Sequence, residues 1–185
     1  MMTAAKPSAE TMAGTLISLC EGAPAEVWQD GRAWYPRARV IAEDLGERHG
    51  RAPETVAGVI AALSQRQRWS ENVRRAERAL AGERPGALAD VERKVAAILA
   101  GSAPADVIRG RKTSAFHLCI ADPSHPSVVV VDTWALRAAG WPADTVTPRQ
   151  YDVVATAYRM AAEHFGELPS VVQATAWILT RGRAQ

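Results

Sequence analysis

The sequence has few cysteines and no long apolar run. Its 185 residues include only two cysteines, Cys20 and Cys119, and both lie in apolar segments with helical spacing. They are expected to be buried small side chains rather than a disulfide framework. No apolar segment approaches the ~20 residues that a membrane helix needs, and residues 1–8 lack the charged-then-apolar pattern of a signal peptide. These absences exclude the disulfide-rich and membrane-spanning classes and favour a cytoplasmic protein.

Metal ligands are scarce too, and the charge balance is mild. The two cysteines and four histidines are scattered, without the close spacing of a zinc site, so the sequence predicts no metal site and no cofactor. The net charge of +2 is by itself a weak argument for a nucleic-acid partner. Only three of the 22 basic residues are lysines, and one of them, Lys112, follows a glycine turn.

Apolar residues at helical spacing, separated by glycine and proline, predict an all-α chain of about nine or ten short helices. Gly50 is expected to end the second helix, and Thr147-Pro148-Arg149-Gln150 has the pattern of a capped helix start. The second helix has possible interruption points at Gly31 and Pro36. Val128–Val131 has strand-like composition but no convincing pairing partner, which predicts an extended segment that enters a helix.

Two residues of opposite charge are predicted to open consecutive helices. Lys112 comes directly after Gly110-Arg111, and Asp132 comes directly after Val128–Val131. A helix N-terminus has unpaired backbone N–H groups and the positive end of the helix dipole. Both residues are therefore expected at natural anion sites.

The segments Gly110-Arg111-Lys112-Thr113 and Val131-Asp132-Thr133 resemble, in order and separation, two motifs of the helix-hairpin-helix DNA glycosylase superfamily (HhH-GPD, the endonuclease III type). The resemblance spans residues 30–182 and is strongest over 56–75 and 105–139. It implies an all-α, two-lobed helical fold with a cleft between the lobes that receives DNA.

The resemblance also implies how the chain is divided. After a disordered lead, residues 1–7, a single HhH-GPD-like domain is expected over residues 8–185. Its first lobe would contain residues 8–50 and 141–185, and its second lobe would contain residues 51–140.

Within that resemblance, Asp132 is the expected catalytic carboxylate. It would stabilise the oxocarbenium-like centre formed when a flipped-out nucleotide loses its base, and it could activate the attacking nucleophile. The alternative is that Asp132 is an ordinary N-cap, and the two roles are compatible. Lys112 is expected either to attack the sugar C1′ as an amine nucleophile or to be a phosphate-binding or solvated lysine.

The segment Ala61–Asn72 resembles the family's Leu-Ser-x-Gln segment, whose polar side chain enters the gap left by the flipped nucleotide. The alternative is a polar loop between helices, with its tryptophan in the core. The DNA-binding candidates of the chain are Gln65, Arg66, Gln67, Arg68, Trp69, Gly110, Arg111 and Thr113. The candidates for the substrate pocket are Trp134 and Arg137.

The sequence also departs from the family pattern. Residues 107–110 contain one glycine where the usual hairpin has two, Trp134 replaces the family's histidine, and the four cysteines that bind an iron–sulfur cluster in some members are absent. The leading hypothesis is a DNA glycosylase-like enzyme acting on an extruded damaged or modified base. The alternatives are a phage-type transferase that hypermodifies DNA bases and a non-catalytic DNA- or protein-binding module.

Overall fold

The computed structural model describes residues 6–65 and 67–181, and these residues form ten helices and no strand. The predicted all-α fold class is confirmed. Over the described ranges, no helix combines the length and apolar character required to cross a membrane. The helices are α1 (Ala9–Glu21), α2 (Ala25–His49), α3 (Pro53–Leu63), α4 (Trp69–Leu80), α5 (Ala89–Leu99), α6 (Pro104–Val107), α7 (Arg111–Ala121), α8 (Thr133–Ala138), α9 (Pro148–Phe165) and α10 (Pro169–Arg181).

Local side chains account for several helix ends. At the start of α9, Thr147 Oγ1 accepts a hydrogen bond from the Gln150 N–H at 3.4 Å, and Gln150 Oε1 accepts from the Thr147 N–H at 2.9 Å. This reciprocal pair satisfies donors that every helix start leaves unpaired, and it confirms the predicted capped start. Gly50 follows α2 with a φ of 62°, a left-handed conformation that glycine adopts without strain.

Helix α2 is continuous across both residues where an interruption was considered. Pro36 lies inside the helix and is exposed, so its ring projects from the solvent side. The residues on either side of Pro36 keep helical spacing on a buried face, which includes Tyr35, Ala38, Ala42 and Leu45. Burial of this apolar face offsets the hydrogen bond that the proline removes.

The chain divides into two compact units. Unit one contains residues 6–34 and 124–181, and unit two is Tyr35–Pro123. The division therefore falls inside α2 and after Pro123, rather than after residues 50 and 140 as the lobe boundaries were predicted. One reason is that Arg39 forms an ion pair with Glu54 and donates to the carbonyl of Ala121 at 2.8 Å, which links residues after Trp34 to unit two.

The core of unit one lies where α1, α8, α9 and α10 meet. Tyr158 on α9 is completely buried there, and its hydroxyl donates to the carbonyl of Ala135 at 2.9 Å. Gly31 on α2 approaches α10 closely, because a Cβ at this position would lie 2.1 Å from Thr175 Oγ1. At Gly31 the helices α2 and α10 are therefore packed so closely that no side chain larger than a hydrogen atom fits between them.

The core of unit two is built around α3. Every residue of α3 from Val56 to Leu63 is buried, and the helix contacts α4, α5, α6 and α7. A helix that is apolar on all sides must be surrounded by other elements. Gly58 lets α3 approach α6, since a Cβ at that position would lie 2.6 Å from Pro104 Cγ.

Candidate functional site

Asp132 lies at the N-terminus of α8, in unit one. Its Oδ1 accepts a hydrogen bond from the Ala135 N–H at 2.8 Å, and its backbone carbonyl accepts from the Leu136 N–H at 2.9 Å. The residue is half-buried, and its second carboxylate oxygen, Oδ2, has no recorded hydrogen bond to any described residue. Asp132 thus caps α8 with one oxygen, and no described residue forms a hydrogen bond with the other.

The segment that leads to Asp132 is tied to α9 by one hydroxyl group. The Tyr151 hydroxyl accepts a hydrogen bond from the Val131 N–H and donates to the Val129 carbonyl, each at 3.1 Å. Val129 and Val131 are buried, so these backbone groups need partners inside the protein. Residues 128–131 lie outside any helix or strand, and a tyrosine side chain supplies hydrogen bonds that a neighbouring strand would supply in a sheet.

Arg137, a predicted pocket residue, is held by an aspartate. Its Nε and Nη2 donate to the two carboxylate oxygens of Asp144 at 3.0 and 2.9 Å. These hydrogen bonds lower the pKa of Asp144 and raise the pKa of Arg137. The guanidinium carbon also lies 5.0 Å from the ring centroid of Trp134, the other predicted pocket residue. Trp134 is half-buried in the first turn of α8, two positions after the N-cap residue Asp132.

Two further residues join this group that sequence reasoning did not select. The guanidinium carbon of Arg181 lies 4.9 Å from the ring centroid of Trp177 and 5.8 Å from that of Trp134. Trp177 and Arg181 are four positions apart on α10, a spacing that brings side chains together on one helix face. That spacing was a usable signal for the pair, but the approach to Trp134 depends on how α8 packs against α10.

Lys112 lies in the first turn of α7, in unit two. Gly110 is the N-cap residue and provides no capping side chain, while Ser114 Oγ donates to the Ile108 carbonyl at 2.9 Å. Lys112 and Arg111 are exposed, Thr113 is half-buried, and Lys112 forms no ion pair in the part of the chain that the structure describes. The predicted helix start is confirmed, and two basic residues, Arg111 and Lys112, follow its uncapped N-terminus in the first turn.

The predicted DNA-binding segment around residue 66 joins α3 to α4. Gln65 and Arg68 are exposed and Gln67 is half-buried, whereas Arg66 lies outside the described residues. Trp69 begins α4 and is half-buried, with its ring centroid 6.4 Å from that of Phe116 in an edge-to-face arrangement. One edge of the Trp69 ring therefore packs against Phe116, and part of the Trp69 side chain is exposed to solvent.

Two polar residues of unit two are buried with an unpaired atom. Asn72 Nδ2 donates to the Ile60 carbonyl at 3.1 Å, which ties α4 to α3, and its Oδ1 has no hydrogen-bond partner in the described structure. His117 Nε2 also lacks one. Burial lowers the pKa of His117, although the nearby Glu54 opposes that shift. The sequence did not distinguish these residues from ordinary members of helical faces.

The predicted site residues consequently form two groups. Asp132, Trp134 and Arg137 lie together in unit one, and Lys112 lies in unit two with the described members of the 65–69 segment. Across residues 6–65 and 67–181, no cluster of three or more histidine, cysteine, aspartate or glutamate side chains could hold a metal ion.

Comparison with known proteins gives one match. No curated protein and no solved structure matches the chain. The profile of one protein family matches residues 1–184, which is nearly the whole chain. The chain belongs to that family, the family of unknown function DUF7178.

Proposed function

We propose that this protein is a DNA glycosylase-like enzyme of the HhH-GPD type, which acts in the cytoplasm on a damaged or modified base that has been extruded from DNA. The observation that supports the proposal most is the state of Asp132. Its carboxylate is held at a helix N-terminus through Oδ1, while Oδ2 makes no recorded hydrogen bond within the described chain. Capping through Oδ1 is therefore compatible with catalysis through Oδ2.

The chemistry assigned to Asp132 is electrostatic and general-base catalysis. When the C1′–N bond of the extruded nucleotide breaks, the electron pair leaves with the base and the sugar becomes oxocarbenium-like. The fixed carboxylate stabilises that positive charge. It then accepts a proton from the water or amine that forms the new bond to C1′. The hydrogen bond from Ala135 keeps the carboxylate oriented during these steps.

For Lys112 we propose two alternative roles. As a nucleophile, its amine would attack C1′ and form a Schiff base after the sugar ring opens. As a DNA contact, its ammonium would bind a phosphate together with the N–H groups of the uncapped α7 terminus. The exposure of Lys112 supports the phosphate role, since a nucleophilic lysine generally needs burial or a neighbouring charge.

The remaining predicted residues are assigned to DNA binding. Gly110, Arg111 and Thr113 would bind phosphate at the start of α7. The polar segment between α3 and α4 would enter the gap left by the extruded nucleotide, and the exposed part of Trp69 would stack on a base. Trp134 would line the pocket of the extruded base, beside Asp132.

The decisive experiment measures free base released from a panel of damaged and modified DNA substrates. Asp132→Asn should reduce release by about 10²–10⁴-fold, because the charge is lost. Asparagine is as good an N-cap as aspartate, so this variant should unfold at the wild-type temperature. Wild-type release rates in a well-folded Asp132→Asn variant would refute the role of Asp132.

Borohydride trapping on the same substrates separates the two roles of Lys112. A covalent protein–DNA complex that disappears in Lys112→Ala identifies the nucleophile. Phosphate binding instead predicts no trapped complex and weaker DNA binding by Lys112→Ala, with an unchanged rate at saturating DNA. Lys94→Ala is a matched control, because Lys94 is the partner of Asp90 in an ion pair on α5.

A second candidate function is favoured by Trp134 and by the single glycine ahead of α7. A bulky indole beside Asp132, in place of the histidine of the resembled family, suits a transferase that adds a group to an activated base substituent. Mass spectrometry of the nucleosides distinguishes the two reactions: a free base indicates a glycosylase, and a heavier nucleoside indicates a transferase. Duplex binding without any product would instead indicate a binding module.

A further inference from the structure

The guanidinium group of Arg181 lies against the indole rings of both Trp134 and Trp177. The guanidinium carbon of Arg181 lies within 5.8 Å of both ring centroids, and both tryptophans are half-buried while Arg181 is exposed. A guanidinium group placed against aromatic rings keeps its orientation, which reduces the entropy lost when its N–H groups bind a ligand. Arg181 is therefore positioned by packing, although its edge faces solvent.

The charge of Arg181 is not compensated in the described structure. No carboxylate of the described residues forms an ion pair with it, whereas Arg137, the other arginine against Trp134, donates two hydrogen bonds from one guanidinium edge to Asp144. The two arginines therefore differ in their partners. Arg137 forms an ion pair within the protein, and the charge of Arg181 can pair with an external anion. A planar guanidinium with free N–H groups matches the oxygens of a phosphate.

We propose that Arg181, held by Trp134 and Trp177, is a phosphate contact for the DNA strand whose nucleotide reacts at Asp132. The inference rests on the proposed function for the identity of the strand. Asp132 is the N-cap residue of α8 and Trp134 lies in the first turn of the same helix, so a strand that reaches Asp132 passes this cluster. Phosphate contacts set the position of a strand without reading its sequence, so Arg181 would act in binding rather than in chemistry.

The test is the affinity and salt dependence of DNA binding, measured by fluorescence anisotropy with a short fluorescein-labelled duplex and with one of its strands. Arg181→Gln keeps part of the aliphatic stem and removes the charge. It should weaken binding about tenfold, the effect of one lost hydrogen-bonded charge. The slope of log affinity against log salt should fall by about 0.9 for duplex or about 0.7 for single-stranded DNA.

Two further variants make the test specific. Arg181→Lys keeps the charge without the planar group, so the salt slope should stay at the wild-type value while affinity falls less than in Arg181→Gln. Arg149→Ala removes an exposed arginine of α9, in the same unit, that has no recorded indole contact. It should leave affinity and slope unchanged, which would exclude a general effect of positive charge on the protein.

Several outcomes would overturn the inference. Wild-type affinity and slope in Arg181→Gln would do so, as would an equal loss in Arg149→Ala or a wild type that binds neither form of DNA. If Arg181→Gln does not fold, Arg181→Lys provides the test instead. An Arg181→Lys protein that binds DNA more weakly and also has a changed salt slope would overturn the inference. DNA binding that depends on Arg181, with no base released or modified, would instead reject the proposed reaction and leave this contact standing.

Discussion

At the scale of single residues, His117 shows how burial changes the behaviour of a side chain. Burial lowers its pKa below the ordinary value of about 6.5, so the unfolded chain binds a proton more readily than the folded protein does. The contribution of neutral His117 to the free energy of unfolding is fully present above about pH 6.5. It is lost as the pH falls through the folded-state pKa. We expect urea midpoints to fall on acidification and to fall less in His117→Gln than in the wild type.

The control for this prediction is Leu118→Gln, which places the same amide at the neighbouring exposed position of α7 and removes no titratable group. That variant should keep the wild-type dependence of stability on pH across the range from 7.5 to 5. A His117→Gln variant with an unchanged pH dependence would show that other groups cause the acid sensitivity.

At the scale of elements, the position of Asp132 depends on an extended segment that has no neighbouring strand. Tyr151→Phe removes the hydroxyl that satisfies two backbone groups of Val129 and Val131. Leaving buried backbone groups unpaired costs about 1–3 kcal/mol. We expect a lower free energy of unfolding by this amount, together with slower base release at saturating DNA. A stable variant with the wild-type rate would show that the segment is positioned by packing alone.

Two glycines inside helices of unit one should respond oppositely to alanine. At Gly31 the new Cβ would lie 2.1 Å from Thr175 Oγ1 and 3.1 Å from the Thr175 backbone nitrogen, so overpacking should destabilise the protein by about 1–3 kcal/mol. At Gly14, on α1, a Cβ meets no atom within 4 Å, and alanine should stabilise the helix by about 0.5–1 kcal/mol. Chemical denaturation measures both, and equal signs would contradict the described packing.

At the scale of the whole molecule, the two units differ in the number of chain segments that form them. Unit two is continuous, from Tyr35 to Pro123, whereas unit one needs residues from both ends of the chain. In unit one, α1 packs against α9 and covers the face that includes Val154 and Tyr158. Without α1, that apolar face would be exposed to water.

Fragments of the chain test this difference. A fragment of residues 35–123 should retain helical circular dichroism and a cooperative thermal transition. A fragment of residues 124–185 should lose the cooperative transition or aggregate, and adding a peptide of residues 1–34 should restore it in part. Cooperative folding of the 124–185 fragment alone would contradict the role given to α1.

Much of the helical pattern could be predicted from the sequence, because its causes are local. Thr147 and Gln150 cap α9 through bonds between residues three positions apart, and Gly50 ends α2 through its own backbone freedom. The starts of α7 and α8, next to Gly110 and Asp132, were predicted for the same reason. The continuity of α2 through Pro36 was left open by the sequence, since it depends on burial of the following turns.

The pairing of side chains was decided by tertiary structure. Arg137 and Arg181 are equally basic in the sequence, but among the described residues only Arg137 forms an ion pair with an aspartate, and only packing brings Arg181 to Trp134. The edge-to-face contact between Trp69 and Phe116 also joins residues from separate helices. The sequence by itself therefore determined where the helices begin and end, because those interactions span a few residues. Contacts between distant residues determined which charges are compensated, because they require the helices to be packed first.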